Sequence, residues 1–301
     1  MGALRWHYNR IKSYIGRPRM IMQQHAVVVS DHDACPHPLF VLGAHRSGTS
    51  LLRRMLNSHP EIACPPESFF IAHYAAMLDD DLVQAGYDGL GYDADAMRDD
   101  LARKASELHE AFRIAQGKAI WADKTPQYLG CADAIDRLFG HRPKYLLIYR
   151  HPCDIVHSLH QRGWKQNDIA DPFEAQLVYV QQSIARLNAF HAAHGARAAR
   201  FDYRELCENP QQTLTAAMAH IGLAFDPAML DFGSKEHNFG LEDPVVRGKS
   251  RIEASHGAWR SWTKGQKQRA VAAFGEHALD DVYWNFSADA ERTPAEDAGR
   301  G

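Results

Sequence analysis

The sequence predicts a three-layer α/β fold, P-loop-like, with a central parallel sheet flanked by helices. Three observations lead there. Residues 39–58 read as a short apolar strand, a turn bounded by Gly43 and Gly48, and a helix opening on Thr49 and Ser50. Further apolar runs at 119–123, 145–149 and 198–203 alternate with helical stretches, the pattern of parallel strands joined by crossover helices. The run Tyr145-Leu146-Leu147-Ile148-Tyr149 is apolar throughout, as suits a strand covered on both faces.

Residues 1–38 are an N-terminal extension, with a basic amphipathic helix expected over 4–15 and a polar loop at His32-Asp33-Ala34-Cys35-Pro36-His37. After the first strand, loop and helix, His59-Pro60 closes the helix. A helix is expected over 69–78. Residues 79–100, rich in Asp and Gly, read as a solvated loop that gives way to a helix over 94–115. The second strand, 119–123, leads to Lys124-Thr125-Pro126, which opens a helix with Pro in its first turn. His151-Pro152 starts another helix after the third strand. A long helix over 173–194 precedes the fourth strand at 198–203, and a helix over 210–221 follows. This organisation makes 39–286 one domain and 287–301 a disordered tail.

At 301 residues and 45% apolar content, the chain can bury one large core. Its 34 Lys and Arg against 37 Asp and Glu give a net charge of −3, which excludes bulk attraction to nucleic acid or an anionic membrane. Any anion site must therefore be a local cluster of cations. Five cysteines without CxxC spacing point to reduced thiols and a cytoplasmic setting. No apolar run approaches the ~18 residues of a membrane span. Met1-Gly2 opens like a myristoylation signal, but Trp6 stands where Ser or Thr is needed.

The turn between Gly43 and Gly48 carries the chemistry. A helix N-terminus and its unpaired N–H groups favour an anion there. Thr49 stands where a nucleotide triphosphatase needs its lysine, and the cation is instead Arg46, inside the loop. In such sheets ligands bind beyond the carboxyl ends of the strands. Those ends offer Arg46, Lys124 and Arg150, three cations for a multiply charged anion. The most apolar strand ends in Arg150, where a magnesium site would want an aspartate, so no metal ligand is expected.

Arg46-Ser47-Gly48-Thr49-Ser50-Leu51-Leu52, with Asp123-Lys124-Thr125-Pro126 and Tyr149-Arg150-His151-Pro152 reaching to Ser158, resembles the sulfotransferases. These enzymes use 3′-phosphoadenosine 5′-phosphosulfate (PAPS) as donor. The likeness covers residues 38–222 and is closest to the branch with arginine in the first loop, which includes tyrosylprotein sulfotransferases and bacterial relatives. It implies that His45, Arg46, Ser47, Gly48, Thr49 and Ser50 cradle the 5′-phosphosulfate. Arg150 and Ser158 would hold the 3′-phosphate, Arg162 would touch the cofactor, and Tyr203 would help seat the adenine. Glu67, twenty-one residues after Arg46, falls where that branch places its general base. Lys124, joined by Arg46, would neutralise charge on the leaving phosphate.

Two features depart from the family pattern. Pro66 replaces a second acidic residue, and the segments 248–251 and 257–260 match the family's late cofactor segment loosely. The expected reaction moves a sulfuryl group to an acceptor hydroxyl, with a carbohydrate or glycolipid preferred and peptide tyrosine or a small metabolite as alternatives. A bacterial cytoplasm is the expected setting; oligomeric state is not readable. Two rivals stay open: a phosphoryl-transfer kinase with an altered loop, and a non-catalytic nucleotide-binding module. His59, His151 and His157 lie near the motifs as alternative bases. His157-x-x-His160 and His191-x-x-His194 have metal-pair spacing, although packing roles are commoner, and Trp259 and Trp262 read as core.

Overall fold

The computed structural model describes residues 34–237, 240 and 248–280. Five parallel strands form one sheet: β1 (Leu39–Leu42), β2 (Ile62–Ala63), β3 (Ile120–Asp123), β4 (Lys144–Tyr149) and β5 (Ala198–Asp202), in the order β2-β3-β1-β4-β5. Every adjacent pair is parallel, so all five carboxyl ends open on the same edge. The chain leaves β1 towards one side and later crosses back to β4 on the other. This makes β1 the switch point where ligands bind in such sheets.

Alternation along the strands splits the core into two layers. Phe40, Leu42, Trp121, Tyr145, Leu147 and Tyr149 face one side. There they meet α2 (Ile71–Met77), α4 (Ala94–Ala115), α5 (Ala132–Leu138) and α7 (Pro172–His194). Leu39, Val41, Ala122, Leu146 and Ile148 face the other, against α1 (Thr49–Ser58), α8 (Tyr203–Glu208) and α9 (Pro210–Ile221). A third cluster packs Ala44 and α6 (Pro152–Gln161) against α7, Trp259, Trp262 and α10 (Lys264–Phe274). Both tryptophans are core, as the sequence suggested.

Four expectations need correcting. The sheet has a fifth strand, β2, too short to show any periodicity. The Asp/Gly-rich stretch contains a helix, α3 (Asp81–Gly89), because the Asp80 side chain caps the amides of Leu82 and Val83. Pro126 opens a 3₁₀ turn, Pro126–Gly130, in place of an α-helix. Tyr203 is the first residue of α8 and follows the last strand without belonging to it. The expected helix over 4–15 and the tail over 287–301 lie outside the described residues. The end of the extension is tied to the body, since the Cys35 amide donates to Glu110 Oε1 at 2.7 Å. No helix among the described residues is long and apolar enough to cross a membrane.

Candidate active site

Each strand delivers a candidate residue to the shared edge. After β1, the loop closes on itself: the Ser47 amide and hydroxyl both donate to Ala44 O, at 3.1 and 2.8 Å. Arg46 and Gly48 straddle Ser47 with φ of 71° and 101°, left-handed values that fold the loop back on itself within a few residues. Gly48 is required, because a Cβ there would lie 2.3 Å from the Tyr203 ring. At Gly43 a Cβ would lie 2.7 Å from both Ile148 and Ser47. Gly48 is also the N-cap of α1, which has no side-chain cap and no acidic residue in its first turn. The helix end is left available to an anion.

After β3, Lys124 is almost fully buried, at 1% exposure. Its Nζ donates to Glu67 Oε1 at 2.5 Å and to Ser50 Oγ at 3.3 Å. Glu67 arrives from the loop after β2, and its side chain is 17% exposed, against 1% for Lys124. The neighbouring turn is braced from behind by Asp123. Its Oδ2 accepts from Ser68 Oγ at 2.5 Å and His109 Nε2 at 2.9 Å, while Oδ1 accepts from Thr125 Oγ1 at 2.7 Å. The Tyr128 hydroxyl lies 2.6 Å from Ser68 Oγ and accepts the Ile71 amide at 3.0 Å.

After β4, Arg150 donates to two backbone carbonyls, Arg46 O at 2.6 Å and Ser255 O at 2.5 Å. Its third donor, Nε, is buried without a hydrogen-bond partner among the described residues. The guanidinium lies 4.7 Å from the centre of the Tyr203 ring, at the start of α8. Segment 253–257 closes over this pair. The Tyr203 hydroxyl reaches Glu253 O at 3.4 Å, and the Gly257 amide donates to Asp154 Oδ1 at 2.8 Å. Burial pushes the Tyr203 phenol up to about 12, and it raises Asp154 as well.

The sequence-derived residues thus converge, with some pairings that spacing did not reveal. Arg46 Nε donates to Ser158 Oγ at 3.1 Å, joining two residues assigned to opposite ends of the donor. Arg46 and Arg162 both lie against Trp164, with guanidinium carbons 5.7 and 6.0 Å from its ring centre. The other histidines serve packing and capping. His59 bonds Ala224 O and the Glu61 amide, His151 stacks on Trp259, and His157 accepts from Trp262 Nε1. His160 contacts Gln176, and His194 contacts Asp133. No cluster of metal-ligating side chains occurs among the described residues. Sequence reasoning missed Asp123, Ser68, His109, Trp164 and Tyr179 as members of the site. Only the direct adjacency of Asp123 and Ser68 to recognised residues could have signalled any of them.

A parallel five-stranded sheet flanked by helices, with a glycine-bounded loop after β1 and cations after β1, β3 and β4, is a P-loop-like three-layer arrangement. Residues 38–227 match the profile of the sulfotransferase family, and the chain belongs to that family. It is 28% identical over 234 residues to nodulation protein NoeE of Sinorhizobium fredii, covering 68% of this chain and 54% of that protein. It is 27% identical over 231 residues to protein-tyrosine sulfotransferase 2 of Gallus gallus, covering 72% and 58%. The chain therefore spans little more than half the length of these curated relatives. Among solved structures, the fold matches the sulfotransferase domain of the Synechococcus PCC 7002 olefin synthase with a TM-score of 0.56. That match has 21% identity and covers 78% of this chain and 90% of the domain. The sulfotransferase domain from the curacin biosynthetic pathway matches with a TM-score of 0.54 and 20% identity, covering 79% and 96%.

Proposed function

We propose that this protein transfers a sulfuryl group from PAPS to an acceptor hydroxyl, releasing adenosine 3′,5′-bisphosphate. The observation that carries the reading is the convergence of Arg46, Lys124 and Arg150 beyond adjacent strands, with Lys124 ion-paired to Glu67. The residues present fit the donor: Arg150 keeps a buried Nε that has no hydrogen-bond partner among the described residues and can serve an anion, and the α1 N-terminus carries no side-chain cap. Arg46, Ser47, Gly48, Thr49 and Ser50 would hold the phosphosulfate, with Arg150, Ser158, Arg162 and Tyr203 on the adenosine 3′-phosphate side.

When bound, the donor supplies an electrophilic sulfur whose bond to phosphate oxygen breaks as the acceptor oxygen bonds to it. Glu67 takes the proton of the acceptor hydroxyl. Lys124, already held between Glu67 and Ser50, supplies positive charge for the departing phosphate, with Arg46 beside it. A carbohydrate or glycolipid hydroxyl is the preferred acceptor class, and peptide tyrosine, the acceptor in the name of the Gallus gallus relative, is the alternative. Five unpaired thiols support a reducing setting such as a cytoplasm.

Calorimetry with adenosine 3′,5′-bisphosphate and with ATP, each with and without Mg²⁺, tests the donor assignment. The bisphosphate is expected to bind without metal, and Arg150→Ala to weaken it far more than it weakens a ligand lacking the 3′-phosphate. Glu67→Gln is expected to keep that affinity while lowering turnover about 10²- to 10⁴-fold. Preference for ATP with a metal requirement would favour the kinase reading. Bisphosphate binding with no wild-type turnover would favour the non-catalytic one, and unchanged turnover in Glu67→Gln would remove Glu67 as the base.

A further inference from the structure

The side chain of His45 has no part in the scheme above. Its position is nevertheless closely fixed. The Tyr179 hydroxyl, on α7, accepts the His45 amide at 3.0 Å and lies 2.6 Å from His45 Nδ1. Trp164 meets the imidazole edge-on, with ring centres 6.5 Å apart at 86°. Nε2 makes no hydrogen bond to any described residue. The charged and titratable groups that face the ring are Glu67 from the loop after β2, Lys124 from the end of β3, Arg46 from its own loop and Tyr179 from α7.

A hydroxyl that accepts an amide proton has its own proton free to give, and Nδ1 is the acceptor in reach. That places the single ring proton of a neutral imidazole on Nε2, on the opposite edge. We infer that Tyr179 locks His45 as the Nε2–H tautomer, and that this N–H is a neutral hydrogen-bond donor to the sulfuryl oxygens beside Glu67 and Lys124. The inference rests on the sulfotransfer reading for its substrate, but not for its tautomer. Burial is the main reason the imidazole stays uncharged. It carries the pKa down to about 4, with Lys124 and Arg46 adding to the effect and Glu67 opposing it. A neutral donor stabilises charge developing on oxygen and adds no fourth cation to Arg46, Lys124 and Arg150. Tyr179 is then a positioning residue, and His45 is not the base.

The test combines nitrogen NMR with two isosteric substitutions. In uniformly ¹⁵N-histidine-labelled protein, with His45 assigned from His45→Gln, Nε2 is expected to carry the proton at pH 7 and Nδ1 to show a bare, hydrogen-bonded shift. Tyr179→Phe should convert this signal to a tautomer mixture. Donor hydrolysis, with PAPS as the probe and water as acceptor, gives the functional readout. His45→Gln places an amide nitrogen near Nε2 and should keep turnover within about ten-fold, whereas His45→Asn, which mimics Nδ1, should lose about 10²-fold or more. Tyr179→Phe should lower kcat about ten-fold with little change in KM. An Nδ1–H tautomer in the wild type overturns the inference whatever the turnover. Equal losses in His45→Gln and His45→Asn overturn it as well, and point to a base or a purely packing role. Absence of PAPS turnover in the wild type, with the tautomer as stated, instead overturns the donor assignment above.

Discussion

Gly48→Ala probes the join between the loop after β1 and the side of the site that we assign to adenosine. The residue has φ of 101°, a left-handed backbone that costs a side chain about 1–2 kcal/mol. Its new Cβ would sit 2.3 Å from Tyr203 Cδ2 and 2.9 Å from Cε2, so the ring must move. Overpacking of that kind costs about 1–3 kcal/mol, for a total of about 2–5 kcal/mol. The displaced ring is the one stacked 4.7 Å from the Arg150 guanidinium, so binding should suffer together with stability. Urea unfolding should show a lower midpoint at unchanged slope. Calorimetry should show affinity for adenosine 3′,5′-bisphosphate reduced about ten-fold or more, equivalent to ~1.4 kcal/mol. Gly86→Ala, inside α3 with nothing near its Cβ, is the control and should stabilise by about 0.4–1 kcal/mol. A Gly48→Ala protein within about 0.5 kcal/mol of wild type, the range of innocuous surface changes, would refute the argument.

Two further outcomes are expected. Asp123→Asn keeps the shape but presents an amide donor to a site filled by the donors of Ser68, Thr125 and His109, leaving at least one buried group unpaired. Stability should fall by about 1–3 kcal/mol and kcat more than KM, measured by urea unfolding and steady-state kinetics. His45 also predicts a pH signature. Its folded pKa lies below the unfolded value, so its contribution is complete above about 6.5 and is lost as pH falls towards 4. The stability difference between wild type and His45→Gln should shrink by about 2 kcal/mol from pH 7.5 to 5 in parallel urea titrations; parallel pH profiles would contradict it.

The parts of the site readable in the sequence are those fixed by neighbours in the chain. Arg46, Lys124 and Arg150 each follow directly on a strand or its turn, so the sheet's polarity alone brings them to one edge. Strand β2 was invisible because two residues have no period; Ile62 and Ala63 are a strand only through pairing with Ile120 and Trp121. Helix α3 was hidden because aspartates and glycines mimic a loop, although Asp80 is its cap. The brace behind Glu67 joins residues 55, 14 and 60 positions apart, and Tyr179 reaches His45 across 134. Such contacts depend on how helices pack against the sheet, which no local pattern encodes.

The two carbonyl bonds of Arg150 bear on how this protein can be cut. Arg46 lies 104 residues before it and Ser255 lies 105 after, so one side chain ties together distant stretches of chain. The stretch matched by the family profile ends at residue 227, short of Glu253, Ser255 and Gly257. A fragment trimmed to that boundary would retain all five strands, yet leave Arg150, Tyr203 and Asp154 each without one backbone partner. The sheet and the proposed binding site therefore have different minimal lengths, and a fragment chosen for its fold alone would leave open the side of the site that we assign to adenosine.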